Sequence, residues 1–337
     1  MTRQEKAYQL GKLGPNVSRI GLGCMGMSGM YGEADRQESI ATIHAALDAG
    51  VNLLDTGDFY GMGHNELLIR DALQSQRRED VLISVKFGGL RAPSGEFVGY
   101  DCRPIAVKNF LSYSLQRLGV DYIDIYRPAR MDPSVPVEET IGAIADMVKA
   151  GYVRYIGLSE VGADTLRRAQ SVHSICDLQI EYSLMSRGIE AEILPTAREL
   201  GIGITAYGVL SRGLLSGRWS REHSQRGDIR GMMPRFQGEN LERNLALVDA
   251  LRKIAEEKNV TVSQISMAWV YARGVDIIPL IGARRRDQLV EAQEALKLEL
   301  SQGDLERIEA AIPIESVAGT RYAASQMAHL DSERSAQ

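Results

Sequence analysis

Short apolar runs rich in β-branched residues alternate with amphipathic stretches along most of the chain, and this alternation constrains the fold most strongly. Apolar runs of this kind are typical of strands buried on both faces of a parallel sheet. Eight runs are predicted as strands, at residues 20–23, 51–54, 81–85, 122–126, 153–158, 177–180, 203–206 and 276–280. Eight helical patterns separate or follow them, at residues 36–49, 65–75, 104–118, 137–149, 163–172, 190–200, 262–272 and 286–296.

Several of these helices have recognisable ends in the sequence. Pro104 suits a first helical turn. Four helical patterns are each followed by a glycine, which accepts the left-handed conformation common just beyond a helix C-terminus. These glycines are Gly50, Gly119, Gly151 and Gly201.

Eight strand–helix units can close into a barrel that has no sheet edge. One such barrel accounts for the length of 337 residues. We therefore predict a single α/β domain over residues 1–337, a (β/α)8 TIM barrel. The predicted additions are an N-terminal hairpin at about 1–19, an Arg-rich segment at 207–239, an extra helix at 241–258 and a C-terminal tail at about 313–337.

Composition excludes several classes of protein. The formal charge of −5 argues against a general binder of nucleic acid or membrane surfaces. Cys24, Cys102 and Cys176 are far apart and lack the paired spacing of a metal site or a disulfide framework. No signal-peptide core and no membrane-spanning run is evident, so a cytoplasmic protein with a small-molecule partner is expected, either a monomer or a homo-oligomer.

One motif favours a different fold. Gly21, Gly23 and Gly26 match the G-x-G-x-x-G fingerprint of a dinucleotide-binding βαβ unit. Two more glycines follow before any helical pattern begins, whereas the third glycine of the fingerprint belongs inside an opening helix. The barrel interpretation makes this stretch the first strand-to-helix loop, and the alternative is a two-domain dinucleotide dehydrogenase.

Reactive groups in a barrel project from the C-terminal ends of its strands. Asp55 follows the second predicted strand, Tyr60 lies in the next turn, and Lys86 follows the third strand. A buried lysine needs a carboxylate partner, which Asp55 can provide. A neighbouring ammonium is expected to lower the pKa of Tyr60 and make it a better proton donor. The alternative is a structural ion pair beside a loop aromatic residue.

These segments together resemble the aldo-keto reductases, which are (β/α)8 barrels that reduce carbonyl compounds with NADPH. The similarity covers nearly the whole chain and includes GLGCMGMS, AGVNLLDTGDFYGMGHNE, LISVKFG, GYVRYIGLSEVG, ITAYGVLSRGLLSG and IPLIGARRRDQL. The resemblance implies that Tyr60 is the general acid and that Lys86 and Asp55 tune it. It also implies that the C-terminal tail borders the substrate mouth, where Arg321 and Tyr322 are possible contacts.

The resemblance further implies a set of cofactor-binding residues. Ser159 and Gln179 would hold the nicotinamide carboxamide, and Tyr207 would stack on the ring, with core packing as the alternative for Tyr207. The remaining predicted contacts are Gly23, Met25, Gly208, Val209, Leu210, Ser211, Gly213, Leu214, Gly282, Arg284, Gln288 and Glu291. Glu160 stands where the family usually has Asn, and Ala292 replaces another usual Asn.

Positive charge is concentrated in two segments. The 207–239 segment is rich in arginine and is either a solvated surface segment or a belt that closes over an anionic cofactor. Arg284, Arg285 and Arg286 begin the last predicted helix, where cations are unfavourable unless an anion binds among them. The family binds the adenosine 2′-phosphate at this place, so NADPH is expected over NADH, with Arg284 as the main contact.

One expected residue is missing. The family usually has a His after the fourth strand, and this chain has Ala129 there. Arg127, Arg130 or His64 is a possible substitute, and without one the rate would fall by about 10²-fold. A similar loss is seen in the pyridoxal-reductase branch, which hints at the substrate.

The sequence therefore predicts an NADPH-dependent oxidoreductase that converts an aldehyde or ketone reversibly to the alcohol. The alternative is a non-catalytic or weakly active NADPH-binding subunit, similar to the potassium-channel β subunits that share this barrel.

Overall fold

The structure, a computed structural model, describes residues 7–219 and 228–334 and contains a closed barrel of eight parallel strands. The strands follow one another around the barrel in chain order, and the last pairs with the first. They are β1 (Gly21–Gly23), β2 (Leu53–Gly57), β3 (Leu82–Phe87), β4 (Ile123–Pro128), β5 (Val153–Ser159), β6 (Ile175–Glu181), β7 (Gly203–Tyr207) and β8 (Ile277–Ile281).

All eight predicted strands are confirmed; the first ends where its apolar run ends, and the other seven end one to three residues later than their runs suggested. Gly57 of β2 pairs with Lys86 of β3, which in turn pairs with Arg127 of β4. The polar residues are therefore part of the strand ladders. Rigid strands hold them, so their positions at the barrel mouth are fixed more firmly than loop positions would be.

The helices surround the barrel. Between the strands lie α1 (Arg36–Asp48), α2 (His64–Leu73), α3 (Pro104–Leu118), α4 (Val137–Lys149), α5 (Ala163–Val172) and α6 (Ile193–Leu200). The C-terminal part adds α7 (Gly238–Glu257), α8 (Val262–Ala272), α9 (Arg286–Ala295), α10 (Gln302–Ala311) and α11 (Ala324–Met327). None of these helices is long and apolar enough to span a membrane.

The predicted helices are confirmed with small shifts in their ends. The 190–200 pattern becomes helical only at Ile193, after a single 3-10 turn at Gly188–Glu190. The four glycines predicted to follow helices all have a positive φ, between 67° and 87°. The N-terminal hairpin pairs Tyr8–Gln9 with Asn16–Val17. Helix α10 and a second hairpin, Gly89–Arg91 with Phe97–Tyr100, were not predicted.

The dinucleotide-fingerprint alternative is wrong. The strand that carries Gly21 and Gly23 closes the barrel between β8 and β2, and only a short 3-10 helix, Met25–Ser28, follows it. Gly21 has a packing role, because a Cβ there would lie 2.6 Å from Leu280 Cδ2 and 3.0 Å from Leu53 Cδ2.

We expect Gly21→Ala to lower the free energy of unfolding by about 1–3 kcal/mol, because the added methyl group overpacks a closed barrel seam. Gly142→Ala is the matched control. Gly142 lies within α4 with open space at its Cβ position, so alanine there should raise stability by about 0.5–1 kcal/mol. Urea unfolding of both variants measures the two signs, and a neutral Gly21→Ala would contradict the packing explanation.

Candidate active site at the barrel mouth

Three side chains from three strands meet at the C-terminal end of the barrel. Lys86 Nζ donates to Asp55 Oδ1 and, at 2.8 Å, to Gln179 Oε1. Gln179 Nε2 donates to Asp55 Oδ2 at 2.6 Å. Ser84 Oγ, 3.0 Å from the same oxygen, completes the shell of Asp55. The ammonium and the carboxylate are therefore both buried and both multiply hydrogen-bonded, as a buried ion pair requires.

Tyr60 lies beside this pair. It begins the 3-10 turn Tyr60–Gly63 after β2, and only 6% of it is exposed. Lys86 Nζ lies 5.2 Å from the centroid of its ring. Among the described residues, no group forms a hydrogen bond with the Tyr60 hydroxyl, so this O–H is available to a ligand. The structure thus brings together the three residues predicted as catalytic.

The predicted lowering of the Tyr60 pKa is wrong for this structure. Burial raises the pKa of Tyr60 well above its ordinary value, and the Asp55 carboxylate raises it further. Burial also lowers the pKa of Lys86, against the opposing effect of Asp55. The reason is that Asp55 compensates the charge of Lys86 at contact distance, so the pair offers little net positive charge to the phenol.

The predicted nicotinamide contacts lie close together but have partners within the chain. Ser159 Oγ is 3.4 Å from Arg130 Nη1, and both polar atoms of Gln179 bind the Asp55–Lys86 pair. The Tyr207 hydroxyl donates to Glu160 at 2.7 Å and lies 2.9 Å from the Tyr322 hydroxyl. These three positions line one side of the mouth, at the ends of β5, β6 and β7.

A buried network of acids and arginines surrounds this side, and sequence reasoning missed it. Glu160 binds both Nη atoms of Arg321, and Arg321 also lies 3.4 Å from Glu181. Arg212 pairs with Glu181 at 2.8 Å. Burial alone would raise the pKa of Glu160, but Arg321, Arg130 and Tyr207 together outweigh burial and hold this pKa below its ordinary value. The only signal of this network in the sequence was Glu160 itself, at a position where the family usually has Asn. The sequence did not reveal the partner of Glu160, because Arg321 is 161 residues away along the chain.

The predicted pyrophosphate loop follows β7. Ser211, Arg212 and Gly213 all have positive φ, at 45°, 53° and 105°, and Gly208 has φ 65°. The backbone N–H groups of Ser211 and Gly213 bind Gly208 O at 2.6 Å and Leu210 O at 2.8 Å, so the turn itself uses these two donors. The Ser211 hydroxyl is buried without a hydrogen-bond partner in the described part of the chain. Of the other predicted contacts, Val209 and Leu214 are buried in the apolar core, and Leu210 packs against it.

Where the Arg-rich segment is described, its arginines have carboxylate partners, and both interpretations of the segment stay predictions. Arg212 and Arg235 are buried and approach Glu181, the latter at 3.6 Å. Arg218 pairs with Glu291 at 2.9 Å and Arg230 with Asp228 at 2.5 Å. Arg221 and Arg226 lie outside the described residues.

The arginines at the start of α9 differ in their partners. Arg285 pairs with Asp287 at 2.9 Å, and Arg286 pairs with Glu38 at 2.9 Å. Arg284 instead donates to the backbone oxygens of Tyr31 and Glu33, and no carboxylate of the described residues pairs with it. Of these three arginines, Arg284 is therefore the best placed to bind an anionic ligand.

The other predicted contacts of this region lie nearby in the chain. Gln288 accepts from the Arg284 backbone N–H at 3.0 Å. Glu291 is paired with Arg218, and Thr261 donates to it at 2.8 Å. Gly282 follows β8, while Gly23 ends β1 and Met25 begins the 3-10 helix after it.

The candidates for the missing His are separated by the structure. Ala129 is buried at the end of β4. Arg127 is fully buried inside the barrel and pairs with Asp177 at 3.1 Å, so it does not face the mouth. His64 Nδ1 is hydrogen-bonded to Ser28 Oγ at 2.9 Å, beside an exposed turn. Arg130 Nη1 is 3.4 Å from Ser159 Oγ, a predicted nicotinamide contact at the mouth.

A second buried acid lies under the Tyr60 turn. The Asp58 side chain accepts from Gly88 N at 3.3 Å through Oδ2, while its Oδ1 is buried without a described partner. Burial and the neighbouring Glu66 raise the pKa of Asp58 to about 8. The turn that carries Tyr60 is therefore anchored by a carboxyl group that holds its proton near neutral pH.

A closed (β/α)8 barrel with a tyrosine beside a buried lysine–aspartate pair at the C-terminal ends of its strands is typical of one class of protein. Residues 19–313 match the model of the Aldo/keto reductase family, and the chain belongs to this family. A protein of Glycine max named "Probable aldo-keto reductase 1" is 40% identical over 320 residues, which cover 95% of this chain and 92% of the relative. The chain is thus an oxidoreductase of the class that acts on small carbonyl compounds.

Solved structures agree. A glycerol dehydrogenase from Gluconobacter oxydans superposes with a TM-score of 0.82 at 27% identity, covering 99% of both chains. An aldo-keto reductase from Bacillus halodurans, solved in a holo form, gives a TM-score of 0.76 at 24% identity over 92% of this chain and 97% of that one, which supports the fold alone.

We expect Asp58→Asn to stabilise the protein increasingly as the pH rises from about 4 to about 8. The folded wild type holds a proton on Asp58 that the unfolded chain releases, so its stability falls with pH across this window, by up to ~1.4 kcal/mol per pH unit. Asparagine removes this dependence. Thermal melts at several pH values measure the difference between variant and wild type, and Asp164→Asn, at an exposed position, is the control. A difference that stays constant with pH would rule out the buried acid as its source.

Proposed function

We propose that the protein is an NADPH-dependent reductase that converts an aldehyde or ketone reversibly to the alcohol, with Tyr60 as the general acid. The observation that carries the proposal is the contact of the buried Lys86–Asp55 pair with the ring of Tyr60 at the C-terminal end of the barrel. The same proposal treats residues 1–337 as one domain. A pyridoxal-like substrate and a cytoplasmic location remain predictions.

The residues present fit a phosphorylated dinucleotide. Arg284 is a cation without a carboxylate partner among the described residues, and it immediately precedes α9, whose N-terminus favours an anion. The Ser211 hydroxyl, which is buried without a partner among the described residues, can donate to a pyrophosphate. We propose that Ser159, Gln179 and Tyr207 hold the nicotinamide end. When bound, NADPH would supply the hydride that reduces the carbonyl carbon.

The protein's own groups manage the proton. Tyr60 is protonated at neutral pH, as any phenol of ordinary or raised pKa is, so it has a proton to donate to the carbonyl oxygen. The Lys86 ammonium, 5.2 Å from the ring centroid, offsets part of the charge of the phenolate that remains, although Asp55 compensates much of the charge of the ammonium. Asp55 keeps Lys86 in place and charged.

One observation favours the second candidate, an NADPH-binding subunit with little or no turnover. Alanine at position 129 cannot donate a hydrogen bond to a carbonyl oxygen, and loss of one positioned donor lowers a rate by about 10²-fold. The two candidates share the cofactor site and differ in whether the proton reaches a substrate.

We expect Tyr60→Phe to reduce aldehyde-dependent NADPH oxidation by about 10²–10⁴-fold, because the general acid is removed. NADPH affinity, measured by titration of cofactor fluorescence, should be unchanged. Tyr113→Phe, which alters an exposed phenol on α3, is the control and should retain activity. If the wild type binds NADPH but reduces no carbonyl in a broad panel, the subunit candidate is correct.

We expect Arg284→Gln to weaken NADPH binding by about tenfold or more while leaving NADH binding nearly unchanged, because a charge-assisted contact to the 2′-phosphate is lost. Arg286→Gln is the matched control, since Arg286 is already neutralised by Glu38. The ratio of the two dissociation constants is the measurement. Equal loss for both dinucleotides would contradict the assignment of Arg284 to the phosphate.

A further inference from the structure

The turn that carries Tyr60 has a strained backbone. Gly61, Met62 and Gly63 have φ values of 56°, 54° and 94°, so three left-handed residues follow one another. Met62 is 61% exposed, and a residue with a side chain adopts this conformation only when its surroundings hold it. The support of the turn therefore has to come from its two ends.

Asp58 fastens the first end of the turn to the strand of Lys86. Its backbone N–H donates to Lys86 O at 2.9 Å, and its side-chain Oδ2 accepts from Gly88 N at 3.3 Å. Asp58 lies only two residues before Tyr60 in the chain. The same residue thus joins the strand that carries the lysine to the turn that carries the phenol.

Glu66 supports the other end of the turn. It lies in the first turn of α2, is fully buried, and accepts through Oε2 from Arg117 Nε of α3. The Arg117 side chain also packs under the turn, because a Cβ on Gly63 would lie 2.7 Å from Arg117 Cδ. Each end of the turn is therefore attached to a buried carboxyl group.

These two carboxyl groups each have one oxygen without a partner. Asp58 Oδ1 and Glu66 Oε1 are buried, and neither forms a hydrogen bond within the described part of the chain. The charge of Glu66 adds to burial in raising the pKa of Asp58 to about 8, so the two groups are close enough to interact. Two buried carboxylates repel each other, whereas a proton on one supplies a donor for the other.

The other ionisable groups around this space leave the need for a proton in place. Arg117 of α3 is already paired with Glu66. The Tyr126 hydroxyl of β4 donates to a backbone oxygen of α3 at 3.3 Å, and burial, Asp58 and Glu66 raise its pKa well above the ordinary value. The Lys86 ammonium is bound at the barrel mouth.

We propose that Asp58 and Glu66 share one proton, and that this proton makes Asp58 a positioning residue for the general acid by holding the turn of Tyr60 in place. When a base in solution removes the proton, the two carboxylates repel each other. The Asp58 side chain then leaves Gly88, and Tyr60 loses its position beside Lys86. Asp58 acts only through Tyr60, and this inference rests on the proposed reductase function.

The proposal predicts an alkaline loss of activity. At saturating NADPH and aldehyde, we expect kcat of the wild type to fall about tenfold per pH unit above about pH 8, because only the protonated pair holds the turn. Ionisation of Tyr60 does not explain a fall at this pH, since its pKa lies well above the ordinary value. NADPH affinity, measured by cofactor fluorescence, should stay constant across the same range.

Two substitutions of Asp58 separate positioning from general stability. Asparagine can donate to Glu66 and accept from Gly88 at every pH, so Asp58→Asn should keep kcat at pH 7 within about twofold and remove the decline up to about pH 9. Asp58→Ala loses both contacts and should lower kcat at pH 7 about tenfold, with NADPH affinity unchanged. Rescue by asparagine but not by alanine is not expected of a merely structural residue. Thermal melts confirm that both variants are folded.

Asp101→Asn is the matched control. The Asp101 backbone N–H binds Gly88 O at 3.0 Å, but its carboxylate pairs with Arg103 at 2.7 Å, so the alkaline decline should persist in this variant. A decline that also persists in folded Asp58→Asn would assign the ionisation to another group, such as Lys86, and would overturn the inference. A wild type without any decline up to about pH 9 would overturn it as well. Either result leaves the reductase function standing.

Hydrogen exchange tests the proton without turnover. At pH 9, amide hydrogens of residues 58–63 should exchange about tenfold faster in the wild type than in Asp58→Asn, because the released turn exposes its N–H groups. If the wild type reduces no carbonyl at any pH, the reductase function fails and this comparison decides the role of the proton. Faster exchange in the wild type supports the shared proton, and equal exchange overturns it.

Discussion

The ion pair between Lys86 and Asp55 is the interaction on which the rest of the site depends. Both side chains lie in strand ladders of a closed barrel and are almost fully buried. Removing either partner would leave a buried charge uncompensated, which typically costs about 3–5 kcal/mol. The barrel tolerates the pair because Ser84 and Gln179 satisfy the remaining oxygens and protons. The same contacts fix the ammonium beside Tyr60, so the stability of the pair and the position of the acid are one property.

The fold was largely predictable because strand and helix signals are local. The apolar runs and the glycines after helices depend on a few consecutive residues, and they identified all eight strands. The runs ended too early because buried polar residues such as Lys86 extend a ladder without extending its apolar pattern. The hairpin of Gly89–Arg91 and Phe97–Tyr100 escaped prediction because glycine and polar residues interrupt its short strands.

The site was predictable only in part, because the partners of its side chains are distant in the sequence. Asp55, Tyr60 and Lys86 follow from position at strand ends, and the structure brings them together. The sign of the Tyr60 pKa does not follow from a neighbouring lysine, because burial and the compensating aspartate depend on three-dimensional packing. The partners of Arg127 and Arg130 were equally hidden. Two arginines three residues apart have different partners, because one side chain enters the barrel and the other folds over its rim.

The C-terminal tail links this rim to the cofactor side of the mouth. Arg321 is buried against Glu160, and the neighbouring Tyr322 reaches both Tyr207 and Arg130. Glu160 has a φ of 55°, a left-handed conformation that a non-glycine residue adopts only when its surroundings hold it. Ser332 supplies part of that support, since its N–H and hydroxyl both bind Glu160. The acid that replaces the family's usual Asn thus anchors the tail, and the tail in turn positions the aromatic ring that faces Arg130. The Glu160 carboxylate therefore connects the ends of β5 and β7 to the tail and, through Tyr322, to Arg130.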